Sequence, residues 1–185
     1  MNQAIRQQIV ISGLGGQGVL FVTRLLAEAA IDAGLSVFTS ETHGMAQRGG
    51  TVLSHLKIGP FASPLIRPGQ ADGLICLKAE NIAAHGPFLR PGGWTVVNGA
   101  VDGPGNLDAD RIACDLGDAR AVNLVVLGFA LAALNEAGKP LLFCSGADVE
   151  RVLQRRLAGR AAALKSSLAA LNAGAQAVGP RPAAI

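Results

Sequence analysis

Gly13, Gly15 and Gly18, in the stretch "SGLGGQGV", are the first residues whose type and spacing could do chemistry. They fit G-x-G-x-x-G directly after a β-branched run, Gln8 to Ser12, and at the opening of an apolar helical pattern. A loop of that kind lets the backbone approach a phosphate at the positive end of a helix. Glu41 lies 23 residues beyond Gly18, at the end of the next strand pattern, where an acid that holds a ribose would be sought. Two features modify the pattern: Gly16 adds a consecutive glycine, and Gln17 places a polar amide at the mouth of the helix. A tight strand-to-helix turn that binds nothing accounts for the loop equally well. Either way, Gly15 and Gly16 are expected at positive φ, which only glycine adopts cheaply.

The second candidate is the polar loop in "SETHGMAQRGGTVLSHLKIG", which carries Glu41, Thr42, His43, Gln47, Arg48, Gly49 and Gly50. A loop at the carboxyl end of a parallel strand stands where open α/β sheets place ligands or partners. Arg48, between flexible glycines, could grip a phosphate or carboxylate through two parallel N–H donors. The alternative is an arginine that ties the loop to the domain's own carbonyls.

No residue set has metal-ligand spacing. His43, His55 and His85 have 11 and 29 residues between them, and Cys76, Cys114 and Cys144 form no C-x-x-C pair. His55 falls in a strand pattern, which suggests a cross-strand or surface role. An odd number of cysteines inside apolar runs reads as small buried hydrophobes in a reducing compartment.

The elements that must position these loops alternate. Gln8–Ser12 and Leu35–Ser40 read as strands around a helix from Val19 to Ala33, which makes a βαβ unit. Thr51–Ile58 reads as a strand exposed on one face, Gly73–Leu77 and Trp94–Asn98 as buried strands, and Ala79–Phe88 as a short helix between them. A weaker strand is expected at Arg111–Cys114, an all-round apolar helix at Ala121–Glu136, and two further helices at Asp148–Leu157 and Arg160–Ala175. The expected fold is α/β, a Rossmann-like three-layer sandwich with a mostly parallel sheet and C-terminal helices. Residues 1–178 form one domain and 179–185 a loose tail.

Composition narrows the function classes. Half of the 185 residues are hydrophobic, enough for a sizeable core without staples. The net charge of +3 is mild, and the chain has no tyrosine and no aromatics interleaved with its basic residues, so nucleic acid is not an expected partner. Arg151, Arg155, Arg156, Arg160 and Lys165 read as a solvated helix face. The longest apolar run, Val122–Leu134, falls short of the roughly 20 residues a membrane span needs. With no export signal at the N-terminus, a cytoplasmic protein without membrane contact is expected.

"GLGGQGV", "SETHGMAQRGGTVLSHLKIG", "SPLIRPGQADGLICL", "LRPGGWTVVN" and "NLVVLGFALA" occur in that order between about Ile9 and Gly174. Together they resemble the gamma component of the 2-oxoacid:ferredoxin oxidoreductases, and within that family the small subunit of the indolepyruvate type. The resemblance implies a subunit of a larger enzyme. That enzyme decarboxylates a 2-oxo acid oxidatively on thiamine diphosphate, passes electrons through [4Fe-4S] clusters to ferredoxin and transfers the acyl group to coenzyme A. It also implies that thiamine diphosphate, its Mg ion and the clusters belong to the large catalytic subunit. None of them is expected on this chain alone.

This division agrees with the absence of a ferredoxin-like run of cysteines, and of a Gly-Asp-Gly followed by an Asn-bearing stretch. No catalytic residue is therefore assigned here. Gly13, Gly15, Gly16, Gln17, Gly18, Glu41, His43, Gln47, Arg48, Gly49 and Gly50 are expected to face the active site or coenzyme A. One departure from the family is Ser167, where the resemblance would place Asn. An isolated subunit is expected to self-associate through its uncovered interface. The competing reading is a free-standing Rossmann-like regulatory module that binds a nucleotide through Gly13–Gly18.

Overall fold

A computed structural model describes residues 5–43, 50–99 and 105–178. Gln47, Arg48 and Gly49, the side chain of His43 and the tail from 179 lie outside the described residues. Along the chain run β1 (Gln7–Leu14), α1 (Val19–Asp32), β2 (Val37–His43), β3 (Thr51–Ile58), β4 (Ala71–Cys76), α2 (Ile82–His85), β5 (Leu89–Asn98) and β6 (Asn106–Leu107). After them come α3 (Ala109–Asp115), α4 (Val122–Ala132), α5 (Gly146–Arg156) and α6 (Ala161–Gln176). Single 3₁₀ turns, Ala79–Asn81 and Gly86–Phe88, flank α2.

The six strands lie in the order β2-β3-β1-β4-β5-β6. β1, β4, β5 and β6 pair in parallel, whereas β3 is antiparallel to both β1 and β2. The expected βαβ unit therefore exists in direction, but β3 is inserted between its strands. This insertion also corrects the expected exposure of β3. A strand with a neighbour on each side and cover on both faces buries alternate polar residues too. Ser54, His55 and Lys57 are accordingly all buried.

Crossover handedness explains how the layers divide. β1 reaches β2 in one direction and β4 reaches β5 in the other, so right-handed connections must lie on opposite faces of the sheet. Helix α1 packs on Ile9, Ile11, Leu56 and Ile58, together with α4, α5 and α6. The 3₁₀–α2 segment packs on Val10, Leu53, Leu74 and Cys76 of the other face, through Ala79, Ile82 and Phe88. The sandwich is lopsided, with long helices on one side and a thin layer on the other.

Arg111–Cys114 belongs to helix α3, not to a strand. Asp108 caps it by accepting a bond from the Arg111 amide at 2.9 Å, and such a cap outweighs the weak strand propensity of four residues. Helix α4 is buried on nearly every side, as its composition requires. It crosses α6 so closely that Gly128 lies against the Leu171 carbonyl and Gly174 against the Val125 carbonyl.

Helix α5 opens with a capping box between Ser145 and Asp148. The basic face expected to be solvated is partly committed. Arg155 pairs with Asp32 at 2.9 Å and with Glu28 at 3.4 Å, and Arg156 with Glu28, fastening α5 to α1. Such exposed pairs each contribute about 0–1 kcal/mol, so they select orientation more than they stabilise. Among the described residues, no helix is long and apolar enough to cross a membrane.

Candidate functional site

The glycine loop stands at the topological switch point, between the carboxyl ends of β1 and β4, where the chain leaves in opposite directions. Its glycines serve three different needs. A Cβ on Gly13 would meet Val19 Cγ2 at 2.8 Å and Leu77 Cβ at 3.2 Å, so Gly13 permits close packing of helix on sheet. Gly16 (φ 96°) makes the turn, and its surroundings are open. Gly18 (φ 82°, ψ 25°) is the N-cap of α1 in the left-handed region, and a Cβ there would collide with the side chain of Asn123. Gly15 is not at positive φ, contrary to expectation. Gly16 and Gly18 together reverse the chain, so Gly15 is spared.

Gln17 turns inward. Its Oε1 accepts from the Leu14 amide at 2.7 Å, its own amide donates to the Leu14 carbonyl at 3.0 Å, and its Nε2 points to the Leu77 carbonyl at 3.5 Å. The Asn98 Nδ2 donates to the same Leu77 carbonyl at 3.2 Å and to Asp110 at 2.8 Å, while Asn98 Oδ1 accepts from the Ala109 amide. The ends of β1, β4 and β5 are thus laced together by two carboxamides.

Of the two predicted loops, the structure joins Gly15 to Gly50 by an amide-to-carbonyl bond of 2.9 Å. Glu41 stands apart, exposed on edge strand β2 in register with Ser54, which in turn pairs with Ile11. A strand spacing of about 4.8 Å puts it roughly 10 Å from β1, one strand too far for the usual ribose-binding acid. With Gln17 closing the crevice as well, dinucleotide geometry is not formed. The first turn of α1 carries neither an acid nor a side-chain cap, and the Leu14, Gly15 and Gln17 amides are already engaged within the loop.

Beside that helix end opens a surface cleft of about 320 Å³ lined by Phe21, Asp118, Arg120, Asn123, Ser166 and Ser167. Ser166 donates to Asp118 at 3.0 Å, and this bond, with one from the Arg120 amide, holds the Asp118 carboxyl below its ordinary range. Ser167, the departure noted in the sequence, therefore borders the glycine loop's own neighbourhood.

A polar cluster on the thin face was not foreseen. Ser12 Oγ lies 2.7 Å from His85 Nδ1 and accepts from Asn81 Nδ2 at 3.0 Å. The Ser12 hydroxyl therefore bridges Asn81 and His85, accepting from the first and sharing one hydrogen with the ring nitrogen of the second. Ser12 is fully buried and His85 partly so, and the pair braces β1 against α2. His55 is buried as well, its Nδ1 accepting from the Ile66 amide at 3.4 Å and its ring set edge-on to Phe88. It has no surface role. Single polar residues at the ends of apolar runs offer no spacing signal from which such a cluster could be read.

Burial lowers the pKa of His85. It does the same for His55, with added repulsion from Lys57 and His85. A histidine held neutral in the fold takes up its proton more readily when unfolded, so its contribution to stability is complete above the unfolded value near 6.5. That contribution is lost as pH falls through the folded value. The urea midpoint is therefore expected to fall between pH 7.5 and 5.5, and to fall less in His85→Gln, whose carboxamide can still hydrogen-bond Ser12. An equal fall in both proteins would remove His85 from this account.

The three cysteines are free. Burial pushes the Cys144 thiol up to about 12, and the Cys76 thiol upward while its Sγ donates to the Lys78 carbonyl at 3.0 Å. Among the described residues there is no group of three or more His, Cys, Asp or Glu side chains placed to hold a metal.

Comparison with known proteins identifies relatives in sequence and in fold. The indolepyruvate oxidoreductase subunit IorB of Archaeoglobus fulgidus is 45% identical over 94 residues, a stretch spanning 51% of this chain and 47% of that relative. The chain thus covers about half of that relative's length. Among solved structures, a keto/oxoacid ferredoxin oxidoreductase gamma subunit from Geobacter sulfurreducens superposes with a TM-score of 0.68 at 24% identity, covering 92% of this chain and 96% of that one. The 2-oxoglutarate:ferredoxin oxidoreductase of Magnetococcus marinus, solved with 2-oxoglutarate, coenzyme A and succinyl-CoA, superposes with a TM-score of 0.74 at 20% identity, covering 94% and 32%. These two likenesses concern the fold. Residues 8–177 match the pyruvate ferredoxin/flavodoxin oxidoreductase family, and the chain belongs to it.

Proposed function

We propose that this chain is the small subunit of an indolepyruvate- or arylpyruvate-type 2-oxoacid:ferredoxin oxidoreductase. The enzyme would convert a 2-oxo acid and coenzyme A to acyl-CoA and CO₂ while two electrons pass to ferredoxin. The observation that carries the reading is the family match over residues 8–177, which takes in both glycine-rich loops. The 45% identity to an IorB subunit supports the indolepyruvate type. Thiamine diphosphate with Mg would supply the carbanion chemistry from the large subunit, where the [4Fe-4S] clusters also belong.

On this chain, the glycine loop and the Glu41–Gly50 loop present the surface that meets the catalytic subunit. The Gly15–Gly50 bond supports this placement, because it fixes the two loops against each other. Gln17 and Asn98 hold the sheet edge beneath them. Gly16, Gly18 and the uncapped start of α1 suit a phosphate of coenzyme A, and Arg48 supplies a cation for it.

Anaerobic affinity purification of the tagged chain from its native cells tests the reading. The eluate is expected to contain a large partner, iron, thiamine diphosphate and arylpyruvate- and coenzyme A-dependent viologen reduction. A chain that elutes alone, carrying a nucleotide, would favour the free-standing binding module. In the assembled enzyme, Arg48→Ala is expected to raise the KM for coenzyme A roughly 10-fold or more, the effect of losing a charged hydrogen bond. Unchanged kinetics would end that role for Arg48.

A further inference from the structure

Three cations gather at the end of the sheet opposite the glycine loop. Arg6 precedes β1, and Lys57 on β3 is in register with Gln8. Eight residues of β1 therefore separate this end from the loop, a distance of roughly 23 Å. The Arg6 guanidinium stands 4.5 Å from the centroid of the Phe61 ring and the Lys57 ammonium 5.1 Å from it. Arg67 follows Ile66, whose amide is bound to His55, two residues from Lys57 on the same face of β3.

Lys57 is 7% exposed, with a packed stem and a charged tip at the rim. Its pKa is lowered, first by burial and then by the charges of Arg6 and Arg67. Among the described residues, none of the three has an acidic partner. The acid at this end, Asp72, is engaged by Arg90 at 2.7 Å and by the Gln8 amide at 2.7 Å.

An ammonium at the rim, partly desolvated and with two like charges beside it, gains from the approach of an anion. The cation–π contacts with Phe61 relieve only part of that repulsion. Apolar surface is exposed close by: Phe38 is the cross-strand neighbour of Lys57, and Ile5 adjoins Arg6. Basic and apolar groups mixed on an open edge match a protein surface better than a small ligand, which prefers a concave site.

We infer that Arg6, Lys57 and Arg67, with Phe38 and Ile5 beside them, dock an acidic segment of the large subunit at the edge remote from the glycine loop. The inference rests on the subunit reading above and adds a second, electrostatic contact to it.

The test follows association of the tagged chain with its purified large subunit as a function of salt. Arg6→Gln/Arg67→Gln is expected to slow association about 10-fold at low ionic strength and to flatten its salt dependence. Arg24→Gln/Arg111→Gln, exposed positions that remove equal charge, should leave both unchanged. Thermal melting of each variant establishes that it folds, and Lys57→Gln provides a second reading of the same site. If both arginine pairs behave alike, the docking inference fails while the subunit reading stands. If the wild-type chain forms no complex, both fall. Titration with inorganic pyrophosphate covers the remaining source of negative charge: tight binding there, with assembly unaffected by the variants, would replace the acidic segment with a phosphate ligand.

Discussion

Gly174→Ala is expected to lower stability by about 3 kcal/mol, the upper part of the range for overpacking. For a chain of this size that corresponds to a drop of roughly 6–12 °C in Tm. Helix propensity alone predicts the opposite sign, since alanine is favoured over glycine by about 1 kcal/mol inside a helix. Packing decides, because the added Cβ would collide with the Val125 carbonyl oxygen, lie 2.7 Å from the Val125 carbonyl carbon and 3.0 Å from the Phe129 nitrogen. These are backbone atoms of a buried helix and cannot rotate away. Gly128→Ala meets Leu171 in the same manner from the other side. Gly146→Ala is the control: it opens α5 at a position with nothing near the new methyl, and should be neutral or slightly stabilising. The measurement is thermal or urea unfolding of the three variants. A Gly174→Ala protein as stable as Gly146→Ala would mean that the α4–α6 crossing is looser than described.

Much of the architecture was legible because it depends on local pattern. The apolar periodicity of α1, α4 and α6 and the apolar runs of β1 and β4 coincide with the observed elements to within a few residues, as hydrophobic period predicts, while β5 begins five residues before the expected Trp94. Connectivity was harder to read. Nothing in "TVLSHLKI" says that it will slip between β1 and β2, since that depends on pairing at long sequence separation. Once it does, His55 and Lys57 no longer mark a solvent face. The strand expected at Arg111–Cys114 failed for a local reason, the Asp108 cap, which the sequence did display.

The candidate site divides along the same line. Glycine spacing located the switch-point loop, because tight turns need glycine wherever the chain happens to go. The partners of that loop were invisible: Asn123 of α4 and Leu77, just beyond β4, are 60 or more residues from the loop residues they contact, yet they decide what Gly18 and Gln17 do. The same holds for the Ser12–His85 brace, whose members are separated by 73 positions. Inserting β3 also moved Glu41 away from β1, so a motif legible as dinucleotide-binding lacks the acid beside it that such a site would need.

Gly18→Ala should therefore be far more damaging than Gly16→Ala, although both glycines lie in the left-handed region. At Gly16, in open surroundings, alanine bears only the backbone cost of about 1–2 kcal/mol. At Gly18 the new methyl also strikes the Asn123 side chain, which is 8% exposed and holds the Leu124 amide at 2.8 Å. Overpacking of this kind typically adds 1–3 kcal/mol, for a total of about 3 kcal/mol. A double-mutant cycle separates the two costs. Asn123→Ala removes the obstacle, so Gly18→Ala in that background should return to the backbone cost alone, with a coupling of about 1 kcal/mol or more. Because Gly18 sets the start of α1, the single variant should also assemble poorly with the proposed large subunit, and the double variant should recover part of that loss. Equal costs at Gly16 and Gly18, with no coupling to Asn123, would show that the loop tolerates a side chain at the helix start. The argument that Gly18 joins the glycine loop to α4 would then have to be dropped.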